Sequence, residues 1–246
     1  MKWLNYITLL HRAYRYKYKH DIGGIHFLLQ HTKHGDIAFD IGAHKGGYLY
    51  WMQKQIGVRG KAVAFEPQRN LYRNLLELRQ NFSWNNVTIE NLALNDVVEQ
   101  SQLFIPTTKQ SGSSPGARLM ADVTTADGRL QSIRTITLDE YCLQNNLAPN
   151  FLKIDVEGNE WNVLKGAASV LAKCKPTILI EIEARHVGED VALNTFEWIE
   201  QHGYKGYFLA GKQMLPLSSF SFSKHQNLNN KKAYYNNFGF VPSQNK

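Results

Sequence analysis

The sequence is poor in cysteine, and neither cysteine stands in a metal-binding or disulfide pattern. Cys142 and Cys174 are the only two in 246 residues, no C-x-x-C pair occurs, and no histidine lies beside either at metal-ligand spacing. Disulfide-rich and zinc-stabilised scaffolds need several cysteines at set spacings. We therefore expect two reduced structural thiols, no metal ligands and a cytoplasmic setting.

Long apolar runs are also lacking. No stretch approaches the roughly 20 apolar residues that are needed to cross a bilayer. The first ten residues, MKWLNYITLL, are interrupted by Asn5 and Thr8 and are followed by charged residues instead of small ones. That is a poor match to a secretory signal peptide. We expect neither a transmembrane segment nor a cleaved leader.

The familiar signatures of phosphate binding are absent as well. The sequence contains no G-x-G-x-x-G fingerprint of a dinucleotide site and no G-K-[ST] of a Walker loop. Both signatures place glycine backbone and a helix N-terminus around phosphate groups. The N-P-P-Y or D-P-P-Y block of many base-directed methyltransferases is missing too. These absences argue against a dinucleotide cofactor and against nucleic acid as the group that is modified.

The positive charge is unevenly distributed. The chain has 28 Lys and Arg against 21 Asp and Glu, a net charge of +7. Residues 11–20, HRAYRYKYKH, interleave cations with tyrosines. Such a segment could contact an acidic membrane surface peripherally or stack on nucleic acid; the alternative is an amphipathic helix packed on the edge of the domain. We assign residues 1–34 to a basic N-terminal helical extension.

Strand and helix patterns alternate through most of residues 35–246. Short apolar runs end at glycine, proline or charged residues, and amphipathic segments follow them. The strands that we predict are DIAFDIG, KAVAFEP, NVTIENLAL, FLKIDVEG, PTILIEIE, YKGYFLAGKQML and NNFGFVP. We predict one helix over NEWNVLKGAASVLAKCK, and an irregular insert over residues 95–134 that could act as a lid. The alternation predicts a doubly wound α/β fold whose sheet is mostly parallel.

Glycines and carboxylates cluster where the first two strands end. Gly42 and Gly46 follow the first strand, and glycine lets a ligand approach the backbone closely. Glu66 ends the second strand, where an acidic residue suits the two hydroxyls of a ribose. Asp40 would repel a diphosphate and attract an ammonium group. S-adenosylmethionine has a ribose, a free amino group and a sulfonium but no phosphate, so these charges fit it better than NAD.

The fourth strand carries unusual charges for a central strand. Lys153, Asp155 and Glu157 alternate along FLKIDVEG and should share one side of the strand. Buried charges cost several kcal/mol each unless they are paired. We predict that Lys153 pairs with Asp155 or Glu181 in a buried network.

Several of these segments together resemble the FkbM family of S-adenosylmethionine-dependent methyltransferases. FDIGAHKGGY, AFEP, NVTIENLAL, TLDEY and FLKIDVEGNEWNVLKGA occur in the family's order, and KIDVEG-x-E…L-x-G-A is the most specific block. The resemblance implies a seven-stranded Rossmann-like sheet whose last strand, NNFGFVP, is antiparallel. It also implies that Asp40, Gly42 and Gly46 contact the methionine part, Glu66 the ribose, and Asn91 to Ala93 the adenine. The cofactor-binding residues that we predict are Asp40, Gly42, Ala43, His44, Gly46, Glu66, Pro67, Asn91, Leu92, Ala93 and Asp155.

Methyl transfer to an alcohol is helped by a base within hydrogen-bond reach of the hydroxyl. Asp155 and Glu157, at the end of the fourth strand, are the first candidates, and Glu183 and His186, after the fifth, come next. The same carboxylates could instead hold Mg²⁺, which the sequence leaves undecided.

The function that we predict is methyl transfer from S-adenosylmethionine to a hydroxyl of a sugar or glycan, or of a secondary metabolite. The acceptor class rests on the family resemblance alone. Two alternatives stay open: an NAD- or nucleotide-dependent enzyme on the same fold, and a nucleic-acid-binding module suggested by the basic tyrosine-rich segment. The sequence decides neither the acceptor nor the oligomeric state.

Overall fold

The computed structural model describes residues 2–106, 116–119, 127–230 and 233–243. Within these ranges the strands are β1 (Ile37–Ile41), β2 (Lys61–Phe65), β3 (Val87–Glu90), β4 (Ala93–Leu94), β5 (Gln100–Pro106), β6 (Arg118–Leu119), β7 (Gly128–Ile136), β8 (Phe151–Ile154), β9 (Thr177–Glu181), β10 (Tyr204–Ala210), β11 (Gln213–Pro216) and β12 (Asn237–Pro242). The α-helices are α1 (Lys2–Arg15), α2 (Ile22–His31), α3 (Gly47–Ile56), α4 (Arg69–Asn81), α5 (Leu138–Asn145), α6 (Glu160–Lys165), α7 (Ala168–Cys174), α8 (Ala184–Val187), α9 (Glu189–Gln201) and α10 (Phe222–His225). A π-helix spans Tyr16–His20, and a 3₁₀-helix spans Leu217–Ser219.

The central sheet has the order β11-β10-β12-β9-β8-β1-β2-β3. Strands β1, β2, β3, β8 and β9 pair in parallel, whereas β12 lies antiparallel between β9 and β10. The predicted mostly parallel Rossmann-like sheet and its antiparallel last strand are therefore confirmed. An eighth strand, β11, extends the seven that we predicted, because the chain turns back at Gly211 (φ +59°) and pairs with β10.

Helices cover both faces of the sheet. On one face Phe39 and Ile41 of β1 join a core that includes residues of α5, α6, α7 and α9. On the other face Ala38 of β1 and Phe151 of β8 meet residues of α1, α2, α3 and α4. Successive residues of a strand point to opposite faces, so Asp40 and Lys153 point to the same side as the N-terminal helices.

The N-terminal segment packs into this second core. Leu9 and Ala13 of α1 are buried there, and the indole Nε1–H of Trp51 on α3 donates to the carbonyl of Ala13 at 2.8 Å. The segment therefore contributes apolar side chains to the same core as α3.

Within the described residues no helix is long and apolar enough to cross a bilayer.

Two predicted elements are each divided in the structure. The helix expected over residues 159–175 is α6 and α7, with Gly166 between them; a Cβ there would lie 2.2 Å from the carbonyl oxygen of Asn95, so the chain passes too close for a larger residue. The third predicted strand is β3 and β4, and β4 leaves the central sheet.

The predicted insert forms most of a second sheet. Its order is β4-β7-β5-β6, and β5 and β7 form its longest antiparallel pair. Residues 107–115 and 120–126 of the predicted insert lie outside the described residues.

Candidate active site

A crevice of about 230 Å³ opens at the carboxyl ends of the parallel strands. We call it the donor crevice. Of the predicted cofactor residues it is lined by Gly42, His44, Glu66, Pro67, Leu92, Ala93 and Asp155. Leu103, Ala117 and Leu119 of the insert add apolar surface to its wall. The strand ends therefore bring together residues that are distant in sequence, as parallel sheets do.

Gly42 allows two strands to end close together. It has φ +79°, in the left-handed region that favours glycine, and a Cβ at this position would lie 1.9 Å from the carbonyl oxygen of Asp155. The backbone N–H groups of Gly42 and Ala43 donate to the carbonyl of Phe65 at 3.1 and 3.0 Å. These contacts fix the corner after β1 against the ends of β2 and β8.

Glu66 is held in place by backbone donors. Its Oε2 accepts the N–H of His44 and its Oε1 accepts the N–H of Gln68, both at 2.8 Å. The residue is 3% exposed, and burial raises the pKa of its carboxyl to about 7 against the opposing effect of those hydrogen bonds. A carboxylate can accept about four hydrogen bonds, so Glu66 retains acceptor capacity beside the crevice.

Asp40, Ala43, Gly46 and Asn91 do not line the donor crevice. Asp40 is fully buried, and its Oδ1 lies 3.2 Å from the Nζ of Lys153, its register partner on β8. The carboxylate of Asp40 is therefore engaged by Lys153, and its contact with a ligand amino group stays a prediction. The amide of Asn91 donates to the carbonyls of Glu66 and Pro67, so it shapes the wall of the crevice from behind.

Lys153 links the two central strands. Its Nζ lies 3.4 Å from Asp155 Oδ2 and donates to the carbonyl of Gly42 at 2.8 Å. Burial alone would lower the pKa of Lys153. The carboxylates of Asp155 and Asp40 outweigh this effect and raise the pKa above its usual value. The predicted pairing of Lys153 with Asp155 is present, and Asp40 is the partner that the sequence reasoning missed. Glu181 instead accepts from the amide of Asn236 at 2.6 Å.

The loop after β8 presents two carboxylates to the donor crevice. Asp155 and Glu157 both line it, and Glu157 has φ +55°. Buried Glu160 shapes the loop, since its Oε1 accepts the N–H groups of Val156 at 3.0 Å and Gly158 at 3.1 Å. Burial, together with the neighbouring charge of Asp155, raises the pKa of Glu157 to about 7. The glutamate of the KIDVEG-x-E block was the available signal for this role of Glu160.

Glu183 and His186 do not line the donor crevice. The Glu183 carboxylate accepts from Tyr234 and Asn236, both at 2.8 Å, and pairs with Arg185. His186 lies 3.8 Å from Glu157. The carboxylate of β9 that lines the crevice is Glu181. Among the described residues no group of three or more His, Cys, Asp or Glu is arranged to hold a metal ion.

A sequence profile of the methyltransferase FkbM domain matches residues 40–205, more than half of the chain. The chain belongs to the FkbM methyltransferase family. Membership places it in the S-adenosylmethionine-dependent class of methyltransferases, as the resemblance predicted. A search of curated proteins found no match.

Solved structures share the fold of this FkbM-family protein. The FkbM methyltransferase of Methylobacillus flagellatus KT has a TM-score of 0.57 and 17% identity, with 93% of this chain and 48% of that chain covered. The chain thus spans about half the length of that relative. A proposed rRNA methylase from Clostridium thermocellum has a TM-score of 0.55 and 10% identity over 92% and 97% of the two chains. An rRNA methylase from Streptococcus thermophilus has a TM-score of 0.51 and 11% identity over 89% and 94%.

A second cavity of about 510 Å³ adjoins the donor crevice of this FkbM-family protein. The two share the lining residues Tyr16, His44, Asp155 and Glu181. Its other wall comes from α1, the π-helix and the start of α2: Thr8, His11, Arg12, Arg15, His20 and Asp21. The sequence predicts residues 1–34 as an extension of the domain, and the only sign of this wall in the sequence is the alternation of cations and tyrosines over residues 11–20.

Proposed function

We propose that the protein transfers a methyl group from S-adenosylmethionine to a hydroxyl of a sugar, a glycan or a secondary metabolite. The observation that carries the proposal is the arrangement of two adjoining cavities that share two carboxyl groups, Asp155 and Glu181, in their common wall. A donor in one cavity and an acceptor in the other would meet at that wall.

The donor crevice has the chemistry that S-adenosylmethionine requires. Gly42 leaves room for a ligand beside the backbone, and Glu66 has acceptor capacity for a ribose diol. Leu92 and Ala93 offer apolar surface for an adenine. Asp155 and Glu157 supply negative charge for a sulfonium or an ammonium. Bound there, S-adenosylmethionine would supply an electrophilic methyl group on its sulfonium.

Asp155 is the residue that we assign as the base. Glu181 also lines both cavities, but burial, with the charge of Asp155, raises the pKa of its carboxyl, and its Oε1 already accepts from the amide of Asn236. Glu157 lines only the donor crevice. Asp155 is one-third exposed and is oriented by Lys153. It can therefore hold the proton that leaves the acceptor hydroxyl.

The insert contributes to the exclusion of water. Leu103, Ala117 and Leu119 close one side of the donor crevice with apolar side chains. Positioning two reactants in a dry site can supply a large part of the rate enhancement. We infer that the insert acts as a cover over the donor.

The test is donor binding followed by transfer. Calorimetry should detect S-adenosylmethionine and not NAD, and Glu66→Ala should weaken donor binding by at least about a hundredfold, because two hydrogen bonds to a charged group are each worth roughly 1.5–3 kcal/mol. Glu90→Gln is the matched control. Glu90 ends the next strand but accepts from Tyr141 at 2.9 Å and does not line the crevice. Tighter binding of NAD than of S-adenosylmethionine would contradict the proposal.

The second part of the test is an acceptor screen with methyl-labelled donor. We expect label to appear on polyhydroxylated acceptors such as sugars and glycans. Label on RNA or DNA, with none on any hydroxylated small molecule or glycan, would replace the proposed acceptor by nucleic acid.

A further inference from the structure

The second cavity has a rim of cations that lack anionic partners. Arg12, Arg15 and Lys45 line it, and none of the three has a carboxylate oxygen within 4 Å among the described residues. Arg12 donates to the backbone carbonyl of Lys45 at 3.1 Å, and Arg15 lies against the imidazole of His20. Within the described part of the chain, these three cations therefore have no ion-pair partner.

The carboxyl groups of the same cavity are already occupied. Asp155 pairs with Lys153, which is also bound to Asp40. Glu181 accepts from Asn236. Asp21 accepts from the N–H of Gly24 and from the hydroxyl of Tyr48. The acidic groups that line the cavity thus have partners, whereas the cations of α1 and of the corner after β1 have none among the described carboxylates.

Holding these cations together costs free energy. Burial lowers the pKa of Arg12, and burial together with the charge of Arg12 lowers the pKa of Lys45. Like charges that are partly removed from water repel each other more strongly than in bulk solvent. An anion placed between them would relieve this repulsion.

On the basis of the proposed function, we propose that the second cavity binds an acceptor carrying an anionic oxyacid group, a carboxylate or a phosphate ester, through Arg12, Arg15 and Lys45. The volume of about 510 Å³ is within the usual range for small-molecule sites. Tyr16 provides an aromatic surface beside Asp155. The acid group would lie at the rim and the hydroxyl to be methylated at the wall shared with the donor crevice.

The probes are glucuronate, glucose 6-phosphate and neutral glucose, each titrated into the full chain by calorimetry. We expect one or both acids to bind more tightly than glucose, with affinity that falls as salt is added. Comparing the affinity for glucuronate with that for glucose 6-phosphate shows whether the site prefers a carboxylate or a phosphate ester. Donor binding is measured on the same samples, so a failure of the proposed donor site is seen separately from a failure of the anion site.

Arg12→Ala should weaken binding of the preferred acid by about ten- to a hundredfold, the usual worth of a hydrogen bond to a charged group. Lys45→Ala is a second variant that leaves α1 unaltered. Lys19→Ala is the matched control, because Lys19 is an exposed cation of the same basic segment that does not line the cavity.

Four results would overturn the inference. Glucose could bind as tightly as the acids, or all of the variants including Lys19→Ala could lose the same affinity. Arg12→Ala could weaken S-adenosylmethionine as much as the acid, which would assign the cations to the donor's carboxylate. Finally, vesicles containing anionic lipid could bind while none of the soluble acids do, which would assign the basic segment to a membrane surface.

Discussion

The donor crevice and the second cavity adjoin each other but are built in different ways. The donor crevice is made mainly from the ends of β1, β2, β4 and β8, and its polar groups are held by backbone hydrogen bonds such as those to Glu66. One wall of the second cavity is made from α1 and the π-helix, and its cations Arg12 and Arg15 have no ion-pair partner among the described residues. The family match begins at residue 40, so most residues of the donor crevice lie within the matched domain, whereas α1 and the π-helix lie before it.

The largest effect that we expect comes from a substitution at Gly42, in the donor crevice. Gly42→Ala would place a Cβ 1.9 Å from the carbonyl oxygen of Asp155, and backbone cannot move as a flexible side chain can. We expect loss of donor binding and of activity, together with lower stability in urea unfolding.

Gly35→Ala separates this clash from simple backbone strain. Gly35 also has positive φ, at +94°, but nothing lies within 4 Å of a Cβ there. It should lose only roughly 1–2 kcal/mol of stability and keep donor binding. Equal losses in the two variants would show that strain, and not the contact with Asp155, explains the glycine.

The strand-end residues could be predicted because parallel strands bring their carboxyl ends to one edge. That reasoning located Gly42, Glu66 and the loop after β8. It could not tell which residue near a strand end faces the crevice and which faces a neighbouring strand. Asp40 is turned to Lys153 across the β1–β8 ladder, and Glu183 is engaged by Tyr234.

The second cavity had no comparable signal in the sequence. Tyr16 and Arg12 line a cavity together with Asp155 because α1 packs on α3, through contacts such as that of Trp51 with Ala13. A contact between distant segments of this kind leaves no local periodicity to read. The alternation of cations and tyrosines indicated a basic surface but not that the surface closes a cavity.

Asp155→Asn tests the wall that the two cavities share. It removes the base that we assign and keeps the size of the side chain, so turnover should fall by about 10²–10⁴-fold, the usual contribution of general base catalysis. Donor binding should persist in calorimetry. Glu183→Gln is the control, since Glu183 lines neither cavity, and it should keep most of the activity. Activity retained in Asp155→Asn and lost in Glu183→Gln would reverse the assignment.

A substitution at Lys153 tests the connection between the donor crevice and the second cavity, because Lys153 lines the second cavity and donates to the carbonyl of Gly42 at the donor crevice. Lys153→Met would leave the fully buried carboxylate of Asp40 without a counter-ion, and breaking such a pair costs about 3–5 kcal/mol. Urea unfolding should show this loss, and the double variant Asp40→Asn/Lys153→Met should recover much of it.

The control for this prediction is the ion pair between Lys165 and Asp96, whose side chains are 38% and 29% exposed. Lys165→Met should cost about 0–1 kcal/mol, as exposed ion pairs do. A similar cost for Lys165→Met and Lys153→Met would mean that burial of the Lys153 pair contributes nothing of its own.

The smallest effect that we predict is a pH dependence of stability that comes from buried groups in and beside the donor crevice. Burial raises the pKa of Glu66, Glu157 and Glu160 to about 7, whereas unfolded glutamate titrates near 4.3. Between about pH 5 and 7 the folded state therefore binds more protons than the unfolded state, so these groups make stability fall as pH rises. His44 acts in the opposite direction: burial lowers its pKa to about 4, so stability falls as pH drops below about 6.5.

Glu160→Gln removes one of these titrating groups with little change in shape. The amide oxygen of the glutamine can still accept from the N–H groups of Val156 and Gly158. The free energy of unfolding, measured in urea at pH 5, 6, 7 and 8, should fall less steeply with pH in Glu160→Gln than in the unmodified protein. The difference in slope can reach about 1.4 kcal/mol per pH unit for one proton. Exposed Glu189→Gln should leave the slope unchanged. A slope that is the same in all three proteins would mean that Glu160 is ionised throughout this range, with the two backbone N–H donors offsetting the cost of its burial.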